Sequence, residues 1–130
     1  MRIAVDFDGT LARQDDIDDG RYDPSRVGEP VPAMVERVRR WLARGDEVVV
    51  LTARVHPSHE GEVAASKAAI EGFCAEQFGR TLQVTCMKDS MMDRFYDDKA
   101  VRVEKNTGRI VGFMEDELGS TGDAIGDFLR

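Results

Sequence analysis

Apolar positions along this chain switch between two periods. Met1–Asp6 reads Met-Arg-Ile-Ala-Val-Asp, a short β-rich run that stops at Asp6-Phe7-Asp8-Gly9-Thr10. A strand delivered to a glycine-containing turn accounts for that pattern. From Val31 the spacing becomes helical: Val31, Met34, Val35, Val38, Trp41 and Leu42 share one face, while Glu36, Arg37, Arg39 and Arg40 fall elsewhere. Pro32 suits a first helical turn and Gly45 a left-handed C-terminal cap. Glu47–Thr52 is then a continuous β-branched run, the mark of a strand buried on both faces. A second amphipathic helix is predicted from Ser58 to Phe78, with Val63, Ile70, Phe73, Cys74 and Phe78 on its apolar side and Gly79 as its stop. Leu82–Met87 reads as a third strand and Arg94-Phe95-Tyr96 as a fourth. Ala100–Glu104 and Arg109–Phe113 flank Asn106-Thr107-Gly108, a hairpin signature.

Strands alternating with helices predict an α/β domain whose mainly parallel sheet is covered on both faces. One domain over residues 1–130 is expected. Residues 12–30 form an acidic flap and residues 115–130 an acidic, glycine-punctuated tail in which a marginal helix could end at Phe128-Leu129. The flap's Asp15, Asp16, Asp18 and Asp19 invite comparison with a calcium loop. An EF-hand register starting at Asp15 would put Ile17 and Arg26 on ligand positions, so a solvated loop is the better reading.

Composition narrows the function classes. The 130 residues are 42% hydrophobic and 33% charged, the balance of a globular protein. Acidic residues outnumber Lys and Arg by 25 to 18, a formal charge of −7. That argues against unassisted binding to a nucleic-acid backbone, which needs clustered cations. It leaves room for a phosphate bound through a metal ion. Cys74 and Cys86 are too few for a disulfide scaffold, and the N-terminal residues do not read as a signal peptide. No apolar run approaches the roughly 18 residues of a membrane helix. A cytoplasmic, thiol-reduced chain with no membrane partner is expected.

In parallel α/β sheets ligands bind at the carboxyl ends of the strands. Four successive strand ends here carry Asp6 with Asp8, Thr52, Lys88, and Asp97 with Asp98. Crowded carboxylates repel, and a bound cation relieves them; Mg²⁺ takes one or two carboxylates together with waters and phosphate oxygens. A lysine and a hydroxyl on the same rim suit phosphate oxygens. A carboxylate can itself attack phosphorus to give an acyl phosphate, and a second acid two residues on is placed to carry protons. Other features have plainer readings. His56 and His59 lack a third ligand for zinc. Cys74, Cys86, Trp41 and the Met91-Met92 pair read as packing residues. Gly119, Gly122 and Gly126 form no dinucleotide fingerprint.

These residues resemble the motifs of the haloacid dehalogenase-like (HAD) superfamily. Asp6-Phe7-Asp8-Gly9-Thr10 is similar to its motif I, Val50-Leu51-Thr52-Ala53-Arg54 to motif II, Lys88 to the motif III lysine, and Tyr96-Asp97-Asp98 to the Asp-Asp form of motif IV. The resemblance covers roughly residues 1–104. It implies a Rossmann-like three-layer α/β/α sandwich with no cap domain, since neither gap between the first three motifs holds a separate module. It implies a phosphatase rather than a dehalogenase, because Asp8 is present. Asp6 would be the nucleophile and Asp8 the general acid/base. Thr52, Lys88, Gly9 and Arg54 would face the substrate phosphate. Mg²⁺ would be held by Asp6, the Asp8 carbonyl, Asp97 and Asp98. The nine positions from Lys88 to Asp97 leave no room for a crossover helix, a departure from many members. An open, capless site suits a phosphorylated small molecule or the end of a phosphorylated macromolecule. A neighbouring subunit of a homo-oligomer could close it, and a nucleic-acid end remains a substrate alternative that the charge disfavours. The competing class is a phosphate-accepting receiver-like signalling module, which also uses Asp, Mg²⁺, Thr and Lys on a parallel sheet; a feebly catalytic scaffold is the third.

Overall fold

The computed structural model describes residues 1–15, 17, 20 and 22–112. Asp16, Asp18 and Asp19 of the flap, Phe113 of the second hairpin strand, and the tail at 115–130 lie outside the described residues. The chain divides into two compact units, Met1–Asp98 and one that begins at Lys99. Every residue expected in the site lies in the first.

The first unit is built on four strands, β1 (Arg2–Val5), β2 (Glu47–Leu51), β3 (Gln83–Thr85) and β4 (Arg94–Tyr96), in the order β3-β2-β1-β4. All three pairings are parallel: Ile3 lies beside Val48 and Arg94, and Val50 beside Val84. This is an α/β domain with a Rossmann-like strand order. Helix α1 (Pro32–Ala43) joins β1 to β2, and α2 (Val63–Phe78) joins β2 to β3. The predicted α1 stripe is buried as Val35, Val38 and Trp41. Its end is a Schellman motif: Gly45 N–H donates to the Leu42 carbonyl at 3.1 Å and Asp46 N–H to Trp41 at 3.0 Å. Gly45 supplies the positive φ, 88°, that this ending requires.

Helix α2 starts five residues later than Ser58. A 3-10 turn, Ala53–Val55, follows β2 instead. The His56 ring then accepts from the Ser58 N–H at 3.0 Å, and Gly61 takes φ 81°. Local side-chain bonding of this kind competes with helix formation.

Both helices pack on one face of the sheet. Ile3, Val5, Val48 and Val50 form a single core there with Val38 and Trp41 of α1 and Ile70, Phe73 and Cys74 of α2. Alternation along the strands sends Ala4, Val49 and Leu51 to the other face, where Met92 covers them. Met92 comes from residues 86–93, which cross that face from β3 to β4. The stretch is too short for a helix, so the second helical layer of the expected sandwich is not among the described residues.

Residues 12–30 leave and rejoin the core through a closed neck. Arg13 N–H donates to the Glu29 carbonyl at 2.8 Å and Val31 N–H to Leu11 at 2.8 Å. Gly28 permits this neck, since a Cβ there would fall 1.9 Å from the Arg13 carbonyl oxygen. The second unit contains a hairpin, β5 (Arg102–Val103) with β6 (Ile110–Val111), antiparallel as predicted. Asn106 and Gly108 take positive φ in its turn, and Arg109 pairs with Glu104 across it. Among the described residues no helix is long and apolar enough to cross a membrane.

Candidate active site

The Asp6-Phe7-Asp8 alternation explains how one turn both anchors itself and presents two acids. Phe7 is fully buried and meets Phe73 of α2 edge-on at 5.0 Å between ring centroids. Its carbonyl accepts from the N–H groups of Thr10, Leu11 and Ala12, which curls the chain directly after β1. The side chains on either side of Phe7 are left half-buried above the strand end.

Strand β4 lies parallel beside β1, and Asp6 N–H continues the ladder by donating to the Tyr96 carbonyl at 2.8 Å. Trp41 packs on Tyr96 at 4.6 Å between rings and so fixes the end of β4. Asp97 and Asp98 follow at once. Asp6, Asp97 and Asp98 each offer a carboxylate oxygen such that the three lie within 4.8 Å of one another. Thr10 ties the group together: its hydroxyl accepts from Asp98 N–H at 3.1 Å and faces Asp98 Oδ1 at 3.0 Å and Asp6 Oδ2 at 3.3 Å. Gly9, with φ 86°, lets the Asp98 carboxylate rest against the turn.

Crowding has an electrostatic consequence. Burial, the Asp97 charge and the hydrogen bond to Asp98 push the Asp6 carboxyl up to about 7, against the pull of the Phe7 N–H. Three carboxylates so close are held together at neutral pH either by a proton or by a cation. An all-oxygen set with room for water on its exposed Asp97 and Asp98 side fits a hard divalent cation such as Mg²⁺.

Asp8 is held differently. Arg54 Nε donates to Asp8 Oδ2 at 2.7 Å and Nη2 to Oδ1 at 2.8 Å. The third nitrogen, Nη1, donates to the Pro24 carbonyl at 3.3 Å. Arg54, expected to face substrate phosphate, thus has its guanidinium directed to protein acceptors. Thr52 is buried, and its hydroxyl oxygen accepts from Arg54 N–H at 3.2 Å, capping the 3-10 turn. Lys88 lies against strand β4. Its ammonium lies 4.9 Å from the Phe95 ring centroid. Phe95 alternates with Tyr96 and therefore faces away from the helices, on the side that residues 86–93 cross.

Three parts of this arrangement were missed in the sequence. Thr10 was visible only as a motif letter, and its bridging hydroxyl is the link between distant acids. Pro24 and Ser66, whose Oγ donates to the Pro24 carbonyl at 3.3 Å, carried no signal at all. His56 and His59 make local contacts, with Ser58 and Glu62 respectively.

No protein-family model matches the chain, and no curated protein matches it. A solved structure of a conserved protein from Bacteroides thetaiotaomicron is 26% identical, with a TM-score of 0.51, covering 98% of this chain and 90% of that one.

Proposed function

We propose that the chain is a Mg²⁺-dependent phosphohydrolase of the HAD type, without a cap domain, that cleaves a phosphate monoester through an aspartyl phosphate on Asp6. The observation that carries this reading is the convergence of Asp6, Asp97 and Asp98 within 4.8 Å at the ends of two adjacent parallel strands. The fold shared with the Bacteroides thetaiotaomicron protein is compatible with it.

Asp6, Asp97, Asp98 and the Asp8 carbonyl would hold Mg²⁺, which when bound neutralises charge on the phosphoryl oxygens and on the acid cluster. An Asp6 oxygen attacks phosphorus in line with the ester oxygen. The P–O ester bond breaks as the new P–O bond to Asp6 forms, and Asp8 gives its proton to the departing oxygen. Water then attacks the same phosphorus, Asp8 takes the water's proton, and Asp6 leaves as a carboxylate with inorganic phosphate as product. Thr52 is assigned to the phosphoryl oxygens, while the Gly9 N–H, which donates to the Ala12 carbonyl at 2.7 Å, would reach them only by releasing it. Lys88, against Phe95 of β4, is assigned to them as well, whereas Arg54 would reach them only by releasing Asp8. The open site is assigned to a phosphorylated small molecule or macromolecule end.

Borohydride reduction tests the intermediate. An acyl phosphate formed in the wild type during turnover is reduced to homoserine at position 6, which peptide mass spectrometry detects. Absence of that product while the wild type turns over would reject Asp6 as nucleophile. A phosphoryl group taken from acetyl phosphate and retained by the wild type without hydrolysis would make the chain a receiver-like module instead.

A further inference from the structure

The guanidinium of Arg54 is more fully committed than a substrate ligand would be. Two of its nitrogens grip both oxygens of Asp8, and the third is on the Pro24 carbonyl. Its side chain is 7% exposed and its Cζ lies 5.7 Å from the centre of the Phe7 ring. The Pro24 carbonyl is itself fixed by Ser66 of α2, whose side chain is wholly buried. The guanidinium is therefore placed by the Pro24 carbonyl and the Phe7 ring as well as by its contact with Asp8. Burying such a pair gains little net stability over an apolar replacement, so stability alone does not account for it.

We infer that Arg54 is a positioning residue for the proposed reaction, holding the Asp8 carboxylate in one orientation through its two-pronged contact, and that it does not itself grip the phosphoryl group. This rests on the function proposed above. Asp8 lies in a turn, and an unheld aspartate there would sample several side-chain rotamers. Proton transfer needs the acid within hydrogen-bond reach of the ester oxygen and then of the water. A planar fork with two parallel N–H donors fixes the plane of a carboxylate, which a single ammonium cannot do. A proton on one Asp8 oxygen leaves the other still accepting from Arg54, so the tether survives the transfer.

Steady-state hydrolysis of para-nitrophenyl phosphate by the wild type, Arg54→Lys and Arg54→Gln tests this, with Mg²⁺ affinity measured by calorimetry on each variant. Misplacement of a catalytic group by about 1 Å costs on the order of 10²-fold, so kcat should fall by roughly that factor. KM and Mg²⁺ affinity should stay unchanged, since the acid cluster does not include Arg54. A raised KM with unchanged kcat would overturn the role and make Arg54 a phosphate ligand. Parallel loss of kcat and Mg²⁺ affinity would reduce it to a structural support and also overturn the inference. Should both variants fail to fold, guanidinium chloride added to Arg54→Ala supplies the second measurement: partial recovery of kcat supports the role, and no recovery in a variant that still binds Mg²⁺ overturns it. A wild type without turnover would reject the proposed function and this role together, whereas wild-type turnover with unaltered variants rejects the role alone.

Discussion

The Asp98 carboxylate rests on the backbone of Gly9: a Cβ at that position would lie 2.7 Å from Asp98 Oδ2 and 3.0 Å from Cγ. Gly9 also takes φ 86°, where a side chain costs about 1–2 kcal/mol. Gly9→Ala should therefore displace Asp98 from the acid cluster and destabilise the fold by about that amount. Mg²⁺ titration and thermal unfolding read the two effects separately. Unchanged Mg²⁺ affinity would mean that Asp98 is not needed as a ligand.

Thr10 links Asp98 to Asp6 through one hydroxyl, and it is buried. Thr10→Val keeps the shape but leaves the Asp98 N–H and two carboxylate oxygens without that partner. A lost, partly buried hydrogen bond of this kind costs about 0.5–1.5 kcal/mol. Chemical denaturation should show a loss in that range together with weaker Mg²⁺ binding. A variant as stable as the wild type would remove Thr10 from the account.

The raised Asp6 value makes the metal-free protein's stability depend on pH. An acid whose folded value, about 7, lies above its ordinary 3.8 binds its proton more tightly in the folded state. That contribution is fully present below about pH 4 and is lost as pH rises through about 7. A cation in the cluster replaces the proton. Mg²⁺ should thus raise the melting temperature more at pH 8 than at pH 5, and its binding near pH 6 should release protons. Differential scanning calorimetry with and without Mg²⁺ checks the first, and titration in buffers of different ionisation enthalpy the second. Equal Mg²⁺ shifts at both pH values would contradict the crowding argument.

Phe7 anchors the turn between the two acids. Removing its fully buried ring leaves a cavity against Phe73 and takes away the aromatic face beside Arg54. Phe7→Ala should cost about 3–5 kcal/mol, read as a lower denaturant midpoint. A loss well under that range would show that the turn is held by its backbone bonds alone.

Asp6 was legible because it ends a strand whose hydrophobic pattern is clear, and Asp97 and Asp98 because they follow the short run Arg94-Phe95-Tyr96. Val48–Val50 and Ile3–Val5 announce neighbouring buried strands, and the polar residues that follow them must lie at one edge of the sheet. Other features depend on contacts that no local pattern records. Arg54 and Asp8 are 46 positions apart, and nothing near either residue specifies the other. Lys88 belongs to a connection without periodicity, and its place beside Phe95 follows from the path by which Met92 covers Ala4 and Val49. The late start of α2 reflects the His56–Ser58 bonds and the positive φ of Gly61, which override an otherwise helical composition.

Phosphate release from para-nitrophenyl phosphate, measured for the wild type and for Asp6→Asn in Mg²⁺ and in EDTA, bears most directly on the acid cluster as a reaction centre. Turnover should appear in the wild type with Mg²⁺, vanish in EDTA, and be absent from Asp6→Asn under every condition. Turnover by Asp6→Asn equal to that of the wild type, or a wild-type rate indifferent to EDTA, would contradict the account.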